Sequence, residues 1–298
     1  MKIALFFVLM ALIDVGCGWA FNLLRSRARG GQTFKNEYVI YHCSDDILIL
    51  GSSRADHHYV PKVFEDSLGE CCYNAGEMGC GIIPAYVRYK MVSNRHKPRL
   101  VIYEVTPEYD YLKDNSYSSY LGVIRQYVGD KMIRDVYLDF SNELEGMRLM
   151  SNLYRNNSKI VTNVKDFMTQ SNPYKGYEPL FGIFHPRQRV SNTMGNIITY
   201  EIDSLKLSYV EKLICATKND NVPLVFMMSP RYYKTSSLAR YDPAFKLCDK
   251  YEIPLINNLY IRGISGIEEY FQDDGHLNDK GARLYSQYVI SQIKKHIN

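Results

Sequence analysis

Three residues of this chain have types and spacing suited to nucleophilic acyl chemistry: Ser53, Asp273 and His276. A serine hydroxyl attacks poorly until a base takes its proton, and the base works best when a third group fixes its tautomer and orientation. Asp273 and His276 stand three apart in Phe271-Gln272-Asp273-Asp274-Gly275-His276-Leu277-Asn278, where a tight turn, if formed, lets the carboxylate approach the imidazole. The chemistry open to this set is attack of Ser53 on an ester carbonyl, with His276 as base, Asp273 stabilising the imidazolium, and a covalent acyl-enzyme as intermediate. Gly-x-Ser alone marks a turn more often than a nucleophile. The weight therefore falls on the order of the elements that must position these residues.

Those elements read as a parallel, doubly wound α/β pattern. Asp46-Ile47-Leu48-Ile49-Leu50 is a short apolar run stopped by Gly51-Ser52-Ser53, as expected of a buried strand ending in a tight turn. A helix is expected over Pro61 to Leu68, a strand over Cys71 to Gly76, a helix over Ile82 to Asn94 and a strand over Leu100 to Val105. Crossovers of this length suit parallel strands. From about Tyr111 to Tyr200 the rhythm breaks into a segment rich in Tyr, Asn, Ser and Arg, read as a mainly helical insertion with a helical stretch over Gly129 to Met150. Its Gly176-Tyr177-Glu178-Pro179-Leu180-Phe181-Gly182 loop is a candidate for covering the site. The pattern returns with a helix from Asp203 to Lys218, a strand over Pro223 to Met228, a fifth over Ile253 to Ile256 and a closing helix from Asp279 to Ile297.

The first thirty residues stand apart from this pattern. Ile3 to Leu24 is almost continuously apolar, interrupted by Asp14, two glycines and Asn22, and is followed by Arg25, Arg27 and Arg29. About twenty such residues suffice to cross a bilayer, so residues 1–30 are read as a signal anchor and 31–298 as the α/β domain, with its insertion at about 111–200. A cleavable signal peptide competes, because Gly18-Trp19-Ala20 has small residues where a peptidase needs them. A net charge of +4 with scattered Lys and Arg excludes a nucleic-acid stripe. No Walker loop, dinucleotide glycine fingerprint or metal-ligand cluster is present, so no cofactor and no metal are expected. The 26 tyrosines suit sugars and other amphipathic ligands, or pack under long loops. Seven cysteines, an odd number without CxxC, give neither a zinc site nor a disulfide framework.

Gly51-Ser52-Ser53-Arg54, Asn74-Ala75-Gly76-Glu77-Met78-Gly79 and Asp273-x-x-His276 together resemble blocks I, II and V of the SGNH/GDSL hydrolase superfamily, over roughly Asp46 to Val105 and Ser204 to the C-terminus. The layout is similar to divergent membrane-anchored bacterial members. The resemblance implies a flavodoxin-like three-layer sandwich with a parallel five-stranded sheet, the triad Ser53, Asp273 and His276, and an oxyanion held by the backbone N–H groups of Ser53 and Gly79. It prefers Asp273 over Asp274, which is two residues from His276 rather than three. It also implies an extracytoplasmic domain, whereas three arginines after the span against Lys2 before it favour the cytoplasm.

Two positions depart from the family pattern. Ser52 stands for the usual aspartate, and Glu104-Val105-Thr106-Pro107-Glu108 stands where block III carries its asparagine oxyanion donor. The implied activity is an esterase or deacetylase on an acylated small molecule or cell-envelope polysaccharide, with an O-acyltransferase and a non-catalytic envelope-binding module as alternatives. Arg54, Arg231 and Tyr232 are weaker substrate-binding candidates. For Arg54 a tether to an acid competes with that role, and for Ser229-Pro230-Arg231-Tyr232 a structural turn is an equal alternative to lining the pocket. His57 and His58 are read as exposed loop residues.

Overall fold

The structure is a computed structural model and describes residues 1–113, 117–169, 173–186 and 200–296. In chain order, α1 (Lys2–Ser26) and α2 (Gly31–Tyr41) precede β1 (Ile47–Gly51), α3 (Ser53–His58), α4 (Pro61–Leu68) and β2 (Cys72–Asn74). Then come α5 (Ile82–Ser93), β3 (Leu100–Glu104), α6 (Pro107–Asp110), α7 (Tyr117–Ile124), α8 (Lys131–Asp139), α9 (Glu143–Arg148), α10 (Asn152–Asn156) and α11 (Ile160–Met168). The chain closes with α12 (Ser204–Asn219), β4 (Leu224–Met228), α13 (Asp242–Tyr251), β5 (Leu255–Asn257) and α14 (Asp279–Ile293).

These elements form two compact units, one of Met1–His42 with Ser116–Asn172 and one of Cys43–Asn115 with Pro173–Asn298. The second is the α/β unit. Its five strands are all parallel in the order β2-β1-β3-β4-β5, the flavodoxin-like order, with helices flanking the sheet. Both faces are covered, which is why the strands read as unbroken apolar runs. Ile47, Ile49, Leu100, Ile102, Val225 and Met227 share one core with Ala55, Phe64, Tyr285 and Val289 from α3, α4 and α14 and with Tyr59 between α3 and α4. Leu48, Leu50, Val101, Tyr103 and Phe226 on the opposite face are equally buried. Register then aligns the strand ends, with Gly51 opposite Glu104 and Glu104 opposite Met227. Residues just past β1, β3 and β4 therefore meet at one rim.

Local chemistry sets the helix ends. Pro61 opens α4, and Gly69 at φ 74° closes it. Asp203 accepts from Leu205 and Lys206 N–H at the start of α12, and Asn278 accepts from Gly281 N–H at the start of α14.

The first unit is helical. The helical stretch expected over Gly129 to Met150 is present as α8 and α9, divided where Ser141 Oγ donates to the Tyr137 carbonyl and Asn142 opens α9 by accepting from Glu145 N–H. The sequence reading begins the α/β domain at residue 31, whereas α2 groups with α1. Arg25 on α1 pairs with Glu37 on α2, both largely buried, and the Arg25 guanidinium also donates to the Gln126 carbonyl at 2.9 Å. Helix α1 is long and apolar enough to cross a membrane.

Candidate active site

Ser53 is the first residue of α3, directly after β1. Gly51 makes that turn possible: its φ is +140°, and a Cβ there would lie 2.8 Å from the Glu104 carbonyl oxygen. Ser53 Oγ lies 2.8 Å from His276 Nε2, and His276 Nδ1 lies 3.0 Å from each Asp273 carboxylate oxygen. Asp273 Oδ1 also accepts from the Gly275 and His276 N–H groups at 2.8 Å each. The turn thus holds the carboxylate against the ring, and a proton on Nδ1 leaves the Nε2 lone pair facing Ser53. Burial pushes the Asp273 carboxyl up, but the His276 hydrogen bond, the His276 charge and the two backbone donors outweigh it and hold it below its ordinary value. Asp274 instead presents its carbonyl to Tyr232 N–H at 3.1 Å and its carboxylate to Arg231 at 4.0 Å.

The Asn74–Gly79 loop is tied to the same rim. Asn74 Nδ2 donates to the Ala55 and Tyr59 carbonyls, and Glu77 N–H donates to the Gly51 carbonyl at 3.2 Å. Gly79 sits at φ +71°. Its N–H and that of Ser53 make no hydrogen bond among the described residues. After β3, Thr106 Oγ1 lies 2.7 Å from Ser52 Oγ, and its N–H is taken by Asp110.

Beneath the serine lies a buried polar network that the sequence reading did not assemble. Glu104 is fully buried and its carboxylate lies 3.0 Å from the Arg54 guanidinium, itself 5% exposed. Ser229 donates to Glu104 through both its N–H and its hydroxyl, and Tyr59 donates through its phenol. Arg54 also donates to Ser229. Arg54 is thus tied to the Glu104 carboxylate and to Ser229. The signal in the sequence was a pair of opposite charges, each just past or ending an apolar strand on the same rim.

His57 and His58 are a correction. They lie in α3 and are buried, at 4% and 0% exposure. The helix begins at Ser53, so these two positions turn inward, and each ring finds partners. His57 Nδ1 lies 2.7 Å from the Glu178 carbonyl. His58 Nε2 accepts from Leu277 N–H at 3.0 Å, which leaves Nδ1 to donate to Ser229 Oγ at 2.7 Å. His58 thus links the Glu104 network to the residue next to His276.

Burial, followed by the charges of Arg54, His276, His57 and Arg231, holds the His58 pKa well below 6.5. Above that value His58 is neutral in folded and unfolded chains alike. Below it the unfolded chain binds a proton that the native state refuses, so stability is lost as pH falls, by up to about 1.4 kcal/mol per pH unit. Urea midpoints measured at pH 7.5 and 5.5 are expected to fall in acid, and to fall less in His58→Gln.

The segment Tyr177–Phe184 runs along α3 and the His276 turn. Glu178 N–H donates to the Asp56 carbonyl, Asn278 Nδ2 to the Gly182 carbonyl and Phe184 N–H to the Phe271 carbonyl. Phe184, Tyr233 and Phe271 pack edge-on against Tyr232, with ring centroids 4.8 to 5.5 Å apart. Arg231 and Tyr232 thus flank the Asp273–His276 turn. Away from this rim, Asp45, Glu65 and Cys71 bring ligand atoms within 4.8 Å of one another. The Lys175 ammonium supplies the cation there, 2.7 Å from Asp45 and 3.8 Å from Glu65.

No family model matches this chain, and no curated protein does. Among solved structures 23 chains match. One is a provisionally named acylhydrolase from Bacteroides fragilis NCTC 9343, 11% identical, with a TM-score of 0.43 over 90% of this chain and 98% of that one.

Proposed function

We propose that the chain is a serine-dependent acyl-ester hydrolase acting on an acylated carbohydrate of the cell envelope. The observation that carries this reading is the continuous line from Ser53 Oγ through His276 to the Asp273 carboxylate. Ser53 gives its proton to His276 Nε2 as Oγ bonds the acyl carbon, and Asp273 stabilises the imidazolium. The N–H groups of Ser53 and Gly79 stabilise the oxyanion. His276 returns the proton to the departing alkoxide, leaving an acyl-Ser53 ester. Water, deprotonated by His276, then releases the acid and restores Ser53. Without the family's asparagine donor the rate is reduced, since one such donor is worth about 10² to 10³.

Hydrolysis is favoured over transfer to a sugar hydroxyl because the His276 and Asp273 side chains are 28% and 48% exposed, so water reaches the acyl-enzyme. The rings of Tyr232 and Tyr233 and the Arg231 guanidinium offer a stacking and hydrogen-bonding edge for a sugar. In this reading α1 anchors the protein and the α/β unit works outside the cytoplasm.

A fluorophosphonate probe tests the proposal. The expected result is labelling of the wild-type chain that disappears in Ser53→Ala, together with acetate release from simple acetyl esters. A folded protein that neither labels nor cleaves is a binding module. Acetate appearing on an added glycan rather than in solution makes it a transferase.

A further inference from the structure

Helix α11 is turned inside out. Its buried positions are polar: Asn163 is 0% and Asp166 4% exposed. Four of its apolar side chains face outward, with Val161 83%, Met168 74%, Phe167 40% and Val164 39% exposed. Spacings of three, four and seven residues put these four on one helical face. The inversion has a local cause. Asp166 Oδ2 accepts from Thr33 N–H at 2.9 Å and so caps α2, while Asn163 accepts from the Thr33 hydroxyl at 3.0 Å and donates to Gln126 at 3.2 Å. The polar face is committed to the interior of the helical unit, and the apolar face is left outside. In water such a face is an unfavourable exposed patch.

The neighbouring helix identifies what covers it. Helices α10 and α11 both pack on α1. The Asp14 carboxylate of α1 accepts from Ser151 Oγ at 2.6 Å, from Asn152 N–H at 2.8 Å and Nδ2 at 2.9 Å, and from Leu153 N–H at 3.0 Å. The charge that interrupts the apolar leader is thus satisfied by the start of α10. From Ile3 to Ile13 the apolar side chains of α1 are exposed, and past Asp14 so are Val15 at 64% and Trp19 at 70%. The exposed apolar surface of α1 thus belongs to the same helical unit as α11.

We infer that α1 and the outward face of α11 enter one lipid bilayer together, so that the helical unit is a membrane-seated module rather than a tether followed by a soluble insertion. The occupant of the α11 face is lipid because α11 itself packs on a helix apolar enough to cross a membrane. Side chains of this kind sink about 5 to 10 Å into the headgroup and acyl boundary. Cleavage after Ala20 would remove the Asp14 carboxylate that the start of α10 holds. This inference is independent of the chemistry at Ser53.

Tryptophan quenching in the full-length protein tests it, since Trp19 is the single tryptophan of the chain. The wild-type protein is reconstituted in phosphatidylcholine vesicles with or without brominated acyl chains. Val161→Trp and Met168→Trp, each made in a Trp19→Phe background, are treated in the same way. Brominated lipid is expected to quench Trp19, and to quench the tryptophans at 161 and 168 to a comparable extent. Quenching of Trp19 with no loss at 161 and 168 overturns the inference. So does a lack of quenching at all three positions, or emission at 161 and 168 that responds to protein concentration and not to bromine, which would assign the face to a second copy of the chain.

Discussion

Asp273→Asn is expected to lower kcat on an acetyl ester by between about 10² and 10⁴, with the fold intact and KM little changed. The amide oxygen can still accept from the Gly275 and His276 N–H groups that the carboxylate holds at 2.8 Å, so the turn survives. What changes is the group offered to His276. An amide NH₂ at Nδ1 obliges that nitrogen to accept, which moves the ring proton to Nε2, where it faces Ser53 at 2.8 Å. The base then has no lone pair for the serine proton. The upper figure applies to a fully enclosed carboxylate. Here the Asp273 side chain is 48% exposed, and water can take its place at Nδ1, which moderates the loss. His276→Ala removes the base outright and should reach the larger value. Asp274→Asn is the matched control, because its carbonyl and its Arg231 contact do not engage the ring. Steady-state kinetics with a chromogenic acetate, run beside fluorophosphonate labelling rates for the same variants, separate these outcomes. A wild-type kcat in Asp273→Asn would remove the carboxylate from the mechanism.

The sheet was legible because parallel strands buried on both faces leave a simple trace: Ile47–Leu50, Leu100–Tyr103 and Leu224–Met228 are unbroken apolar runs, and all are buried. Pro61 and Gly69 wrote the limits of α4 into the sequence, and Asp203 and Asn278 wrote the starts of α12 and α14. The candidate residues at the rim were legible for a related reason: strand order and a three-residue turn between Asp273 and His276 constrain where side chains go. The residues beneath them were not. A glutamate ending β3 reads as the polar end of a strand, and only the register that sets Gly51 opposite Glu104 and Glu104 opposite Met227 reveals that it lies between Arg54 and Ser229. His57 and His58 read as a polar pair in a loop because neither carries a local signal of its partners. Those partners are Glu178, Ser229 and Leu277, more than a hundred residues away. The association of α1 with α10 and α11 is equally non-local. Asp14 looks like a flaw in an apolar leader until Ser151, Asn152 and Leu153 are seen around it.

Glu104→Leu is expected to destabilise the protein by about 3 to 5 kcal/mol, a large share of the 5 to 15 kcal/mol typical of a folded domain. The loss comes less from the attraction between Glu104 and Arg54 than from what is stranded. Arg54 keeps its charge in a site where it is 5% exposed, and the Ser229 N–H, the Ser229 hydroxyl and the Tyr59 phenol lose their acceptor. Each buried donor left without a partner costs about 1 to 3 kcal/mol, before relaxation recovers some of it. Two further variants distinguish stranding from lost attraction. Glu104→Gln keeps one carbonyl acceptor for Ser229, while it removes the charge and turns the other acceptor oxygen into an NH₂ donor, so it should be milder than Glu104→Leu. Arg54→Leu combined with Glu104→Leu removes both charges and should recover part of the loss, since an apolar pair of similar volume often replaces a buried ion pair at little cost. Urea unfolding of the wild type, Glu104→Leu, Arg54→Leu and the double variant, followed by circular dichroism, gives the cycle, and Glu104→Gln is measured beside them. If the double variant is less stable than Glu104→Leu alone, stranding is not the main source of the loss, and Arg54 contributes through packing. Activity provides a second readout of the same network. His58 reaches both Ser229 and the Leu277 N–H, so Glu104→Gln should lower kcat with little change in KM: loosening Ser229 loosens the turn that holds His276.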